Sequence, residues 1–121
     1  MPSSRPRDRL EDLLDNIRQA ESYLAGLTLE QFQEYRMAQD AVERCLARIS
    51  EATVKLDHVM DTRYPTIPWA RIRTLGNVLR HAYDQVDART VWGMVVDDLP
   101  PLRAACEAEA NALDAGMPFN R

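Results

Sequence analysis

Apolar residues recur every three or four positions over most of this chain, the period of helices that bury one face. Leu10, Leu13, Leu14, Ile17, Ala20, Tyr23 and Leu24 form the first stripe, which predicts a helix from Asp8 to Ala25 with Gly26 as its stop. Thr28 followed by Gln31 has capping-box spacing, so a short helix with Leu29 and Phe32 turned inward is expected there. Ala38, Ala41, Val42, Cys45, Leu46, Ile49, Ala52, Val54 and Leu56 predict a long helix from about Met37 to His58. Tyr64-Pro65 and Ile67-Pro68 mark a loop, and Pro68 suits the first turn of a helix from Trp69 to about Tyr83. The stripe of that helix is Trp69, Ile72, Leu75, Val78, Leu79 and Ala82. Asp87 is a natural N-cap for a helix over residues 88–96. Pro100 then interrupts, and Asp97 or Asp98 caps a last helix to about Leu113.

No strand-like alternation of useful length occurs, so the expected fold is all-α, a bundle of four to five helices with two long antiparallel ones. Residues 1–7 read as a disordered tail, 8–114 as one helical domain and 115–121 as a flexible C-terminal tail.

Composition agrees with that pattern. The chain has 121 residues, 45% hydrophobic and 28% charged, enough to build a core without disulfides or a structural metal. Only four glycines occur, and helix-forming residues dominate. A net charge of −4 excludes a chain that is basic throughout. Locally the balance differs: between Asp61 and Arg89, five arginines (Arg63, Arg71, Arg73, Arg80, Arg89) face three acids (Asp61, Asp84, Asp87). A local positive site on an acidic body suits a small anion or a short stretch of RNA. Cys45 and Cys106 are far apart, lack metal-ligand spacing and fall at apolar helical positions, so buried free thiols are expected, with no metal site and no cofactor. No apolar run is long enough to span a bilayer, and Met1 to Asp8 lacks the apolar core of a secretory signal. A cytoplasmic protein follows from these readings.

The candidate chemistry lies in the helix that Trp69 opens. Asn77 and His81 are four apart and share a face, while Arg73 and Arg80, seven apart, line an adjoining one. Histidine is the side chain most easily poised to move protons near neutral pH, and arginine offers a fork that fits phosphate. An imidazole beside a guanidinium can cleave an RNA backbone: the His handles the proton of the 2′-hydroxyl or the 5′-oxygen, and the Arg steadies the phosphate. Most single helical histidines are surface or satisfied core residues, so spacing alone leaves both readings open. His58, at a predicted helix end, is read as complementing the helix dipole, Trp69 and Trp92 as packing anchors, and Asp40, Glu43 and Arg44 as a solvated or interface face.

The blocks YLAGLTLEQF, QDAVER, YPTIPWARIRTLGNVLRHAYDQVD and VW…DDLPPLRA occur in an order that resembles the HepT-like family of the HEPN superfamily, over about Leu10 to Leu113. The resemblance implies an all-α homodimer that acts as the ribonuclease toxin of a two-gene toxin–antitoxin module. The partner it implies is an MntA-like nucleotidyltransferase antitoxin, and the substrate is RNA. The family motif is Arg, four residues, His, one residue, Tyr. Its Arg and His form a metal-independent site shared across the dimer, and its Tyr accepts AMP from the antitoxin. His81 matches the motif histidine, Tyr83 the AMP-accepting tyrosine, and Asn77 the asparagine that commonly follows the arginine. The arginine position itself is Gly76, which leaves Arg80, then Arg73, as substitutes. Two alternatives stay open: a catalytically degenerate partner or substrate of a nucleotidyltransferase, and a nucleotide-binding regulator. Because a mid-helix glycine costs roughly 1 kcal/mol against alanine, Gly76 is expected at a dimer interface or on a cleft floor.

Overall fold

The computed structural model describes residues 5–81 and 86–121, and all regular structure among them is helical. Helix α1 spans Pro6–Leu24, α2 Leu29–Gln33, α3 Arg36–Lys55, α4 Trp69–His81, α5 Ala88–Gly93 and α6 Leu99–Asp114. A π-helical turn, Met94–Asp98, joins α5 to α6.

The long helices α1 and α3 form the centre. Leu10, Leu13, Ile17 and Ala20 of α1 are fully buried, as are Val42 and Leu46 of α3. The pair is antiparallel: Cys45 Sγ lies 3.9 Å from Gln19 Oε1, while Arg9 near the start of α1 shares a groove with Lys55 at the end of α3. Helix α6 covers the other side of α1, and α4 packs chiefly on α3. Phe32 of α2 is buried beside Trp92 of α5, their ring centroids 5.6 Å apart. Each fully buried Leu or Ile contributes about 2 kcal/mol of apolar burial.

The capping box holds as the sequence predicts. Thr28 Oγ1 accepts the Gln31 backbone N–H, and Gln31 Oε1 accepts the Thr28 N–H. Asp87 caps α5 by accepting the Thr90 N–H at 2.7 Å.

Four expectations are corrected. Helix α3 stops at Lys55 rather than His58, because Asp57 adopts a left-handed backbone (φ 59°) and turns the chain. Tyr23, Val54 and Val78, assigned to buried stripes, are exposed, while Ser50 and Thr53 are buried. Helix α3 lies between α1 and α4, so its second buried face carries small polar residues that a count of apolar positions passes over. Pro100 does not interrupt the chain. It has no N–H for the carbonyl of Val96, and its ring crowds that carbonyl, so the helix widens into the π-helical turn and continues. Residues 115–121, read as a flexible tail, fold back onto the body: Phe119 is buried under the guanidinium of Arg63.

That return is anchored on Glu109, which is fully buried. Arg63 donates to its Oε1 at 2.6 Å, Tyr64 to its Oε2 at 2.7 Å and Arg121 to its Oε2 at 3.0 Å. Burial is the largest single influence and pushes this carboxyl up, but the three donors together outweigh it and leave it below the usual carboxylate range. The Tyr64 phenol, buried beside the anion, is pushed up to about 12.

Candidate functional site

Helix α4 carries the site residues that the sequence singles out. Its inner face is fixed by Trp69, Ile72 and Leu75, all buried. With that face anchored on α3, Asn77, Val78, Arg80 and His81 fall on the outer face of the last turns, and all four are exposed. Asn77 and His81 thus share an open face, as their spacing requires. Tyr83 lies outside the described residues.

The two arginines have different fates. Arg73 is not open to a ligand. It grips Asp61 through both terminal nitrogens, 2.9 Å at Nη1, donates from Nη2 to the Asp57 carbonyl at 2.6 Å, and sits 5.5 Å from the centre of the Trp69 ring. His58 adds its Nδ1 3.1 Å from Asp61. These contacts hold the Asp61 carboxyl low, the Arg73 hydrogen bond being the main cause. The cluster welds the turn after α3 to α4, so His58 serves the Asp61 turn rather than the helix end.

Arg80 has no carboxylate within ion-pair distance among the described residues. Its guanidinium folds back along α4 by about one turn: Nη1 lies 3.5 Å from where a Cβ on Gly76 would stand. The guanidinium of Arg80 therefore lies beside Gly76, near where a side chain at position 76 would begin.

Gly76 itself is accounted for within one chain, by close approach of two helices. A Cβ at position 76 would stand 2.9 Å from Ser50 Oγ and 3.2 Å from Ser50 Cβ. The Ser50 hydroxyl accepts the Gly76 N–H at 3.0 Å and donates to the Arg73 carbonyl at 2.9 Å. Helices α3 and α4 approach so closely here that only glycine fits. Nothing in the apolar pattern marks Ser50; its signal is the mid-helix glycine that needs a partner.

Other titratable groups are peripheral. Glu43, with Arg36, Gln39, Asp40 and Val86 to Ala88, lines a groove of about 360 Å³ beside α5, and burial, then Asp40, pushes its carboxyl up against the pull of Arg36. Cys45 and Cys106 are free and buried, as expected, and burial pushes the Cys106 thiol up to about 12. Among the described residues no group of three or more His, Cys, Asp or Glu is placed to hold a metal, and no helix is long and apolar enough to cross a membrane.

An all-α bundle with a polar, arginine- and histidine-bearing outer helix is consistent with the HEPN-type fold that the sequence resemblance implies. The family model described as Ribonuclease HepT-like matches residues 13–109, and the chain belongs to that family. It is similar to a protein of Thermococcus cleftensis named probable ribonuclease HepT, 33% identical over 101 residues that cover 84% of this chain and 92% of the relative. A protein of Methanocaldococcus jannaschii with a provisional RNase name is 29% identical over 100 residues, 83% of each chain. Another so named, from Caldanaerobacter subterraneus, is 27% identical over 97 residues, 80% of this chain and 87% of the relative. No solved structure gives a significant match.

Proposed function

We propose that this protein is a metal-independent endoribonuclease whose site is built on the last turns of α4. The observation that carries the reading is the joint exposure of Asn77, Arg80 and His81 on one outer helix of a HepT-like chain, with the Arg80 guanidinium lying beside Gly76. The relatives' ribonuclease names point the same way.

In this reading the RNA 2′-oxygen attacks the adjacent phosphorus and the bond to the 5′-oxygen breaks. The products are a 2′,3′-cyclic phosphate and a 5′-hydroxyl. His81 takes the 2′-hydroxyl proton or supplies one to the 5′-oxygen. Arg80 steadies the charge on the phosphate, since Arg73 is committed to Asp61. Asn77, one turn before His81, orients the imidazole or a substrate oxygen. Because α4 packs chiefly on α3, its outer face, Val78 included, is free to meet a second copy, which supports a site shared across a homodimer. The protein then acts in the cytoplasm as the toxin of a toxin–antitoxin pair. An MntA-like nucleotidyltransferase silences it by transferring AMP to Tyr83.

One observation favours a second reading. Gly76 replaces the motif arginine, as in a degenerate chain that only binds, or is modified by, a nucleotidyltransferase. Incubating purified protein with RNA in excess chelator separates the two. The ribonuclease reading expects cleavage with 2′,3′-cyclic ends that is lost in both His81→Ala and Arg80→Ala. Equal RNA integrity with wild type and His81→Ala, together with harmless expression of wild type in cells lacking the partner, refutes it. Mass spectrometry after incubation with the nucleotidyltransferase and ATP tests Tyr83 separately.

A further inference from the structure

Helices α1 and α3 enclose an open groove of about 310 Å³ that no family motif marks. Arg9, Asp12 and Asn16 line it from α1, and Arg48, Glu51 and Lys55 from α3. The spacings, three and four residues on each helix, put each set on one face. Antiparallel packing brings Arg9 toward Lys55 at one end and Asn16 toward Arg48 at the other. Three cations thus stand against two carboxylates. The pairing is incomplete: Arg9 meets Asp12 only at 3.9 Å, Lys55 meets Glu51 at 3.1 Å, and Arg48 has no carboxylate partner among the described residues. Asn16 contributes a buried Oδ1 without a hydrogen-bond partner.

The groove adjoins α4. The Glu51 carboxyl is held low by Lys55 first, and the charges of Arg80 and Arg9 add to that pull. The geometry agrees: the Arg80 guanidinium lies beside Gly76, whose N–H is bonded to Ser50, the residue before Glu51, while Arg9 lines the groove with Glu51 from α1. Arg80 on α4 and the cations of the groove thus lie on the same side of the bundle, with Glu51 among them.

We propose that this groove is a binding subsite for the phosphate backbone of RNA, continuing from the phosphate that Arg80 holds. Arg48 contacts the strand at one end, and Arg9 with Lys55 at the other. Positions 48 and 55 are seven residues apart on one helix, which separates the two ends by about 10 Å along the axis. Two cationic ends at that separation match a chain of phosphates better than one small ion. Glu51, between them, opposes the strand, which gives the idea a test with a sign. The proposal rests on the ribonuclease reading.

The measurement is the affinity of fluorescently labelled single-stranded RNA, by anisotropy across a salt series, in a His81→Ala background that cannot cut it. Adding Arg48→Ala and Lys55→Ala is expected to weaken binding by about tenfold and to flatten the slope of log K against log salt by about 1.4, two lost phosphate contacts at about 0.7 each. Glu51→Gln is expected to tighten binding, which a merely structural role for that residue does not produce. Arg18→Ala, which removes a cation paired with Asp15 on a different face of α1, serves as control and leaves both quantities unchanged. Background protein that binds RNA with an affinity and slope indifferent to Arg48 and Lys55, or untouched by Glu51→Gln, overturns the groove and leaves the ribonuclease reading standing. Wild type that cuts no RNA, with a background that binds none, overturns both.

Discussion

The buried carboxylate of Glu109 gives the sharpest test of what holds this bundle closed. In Glu109→Gln the side chain keeps its shape but loses its charge. It can still accept from one donor, while Arg63 and Arg121 lose their counter-ion. Removing one partner of a fully buried pair costs about 3–5 kcal/mol. Here both guanidinium groups are only partly buried, with side chains 21% and 24% exposed, so water can recover part of their solvation. An expected loss of about 2–3 kcal/mol follows, just under that range because the two guanidinium groups keep some water. At about 4 °C per kcal/mol for a domain of this size, the melting temperature falls by roughly 10 °C. The pH dependence carries a second signature. The folded-state pKa of Glu109 is depressed, so its contribution is complete above the unfolded carboxyl value of about 4.3 and fades as pH falls through the lower folded value. Thermal unfolding by circular dichroism at pH 7, and then downward from pH 5, measures both. The gap between wild type and variant is expected to be full at pH 7 and to narrow in acid. A melting temperature within about 2 °C of wild type at pH 7, or a gap that widens in acid, refutes the reasoning, since either means that the donors do not outweigh burial.

Other outcomes are as definite. Gly76→Ala gains roughly 1 kcal/mol of helix propensity but loses about 1–3 to its collision with Ser50, so chemical denaturation is expected to show net destabilisation, relieved in part by adding Ser50→Ala. Asp61→Asn costs about 1 kcal/mol by the same assay, given the partial exposure of the pair, and leaves RNA cleavage within a few-fold because Arg73 is not the phosphate clamp. The low Asp61 pKa places that contribution above the unfolded value of about 3.9, and it is lost as pH falls below it. Cys106 is expected to resist a thiol reagent in native protein at pH 8 and to react at once in denaturant, read by absorbance.

Much of the fold was legible because it rests on local rules. The Thr28–Gln31 box, the Asp87 cap and the buried stripe of α1 are short-range patterns, and each appears where the sequence places it. What escaped was decided between helices. Ser50 and Thr53 are buried because α3 is flanked on two sides, a fact of assembly and not of period. The fold-back of residues 115–121 depends on Glu109, which on its own helix looks like one more solvated acid. The site divides in the same way. Spacing puts Asn77 and His81 on one face and names both arginines, but it cannot tell that Asp61 occupies one while the other lies beside Gly76.

The π-helical turn at Met94–Asp98 gives this rod a change of phase. A single extra residue in the winding rotates everything beyond it relative to everything before. The segment from Ala88 to Gly93 can then address α2 and α3, while the segment from Leu99 onward addresses α1. Pro100, which would otherwise snap a helix, has become the gearing by which one continuous rod serves two different neighbours.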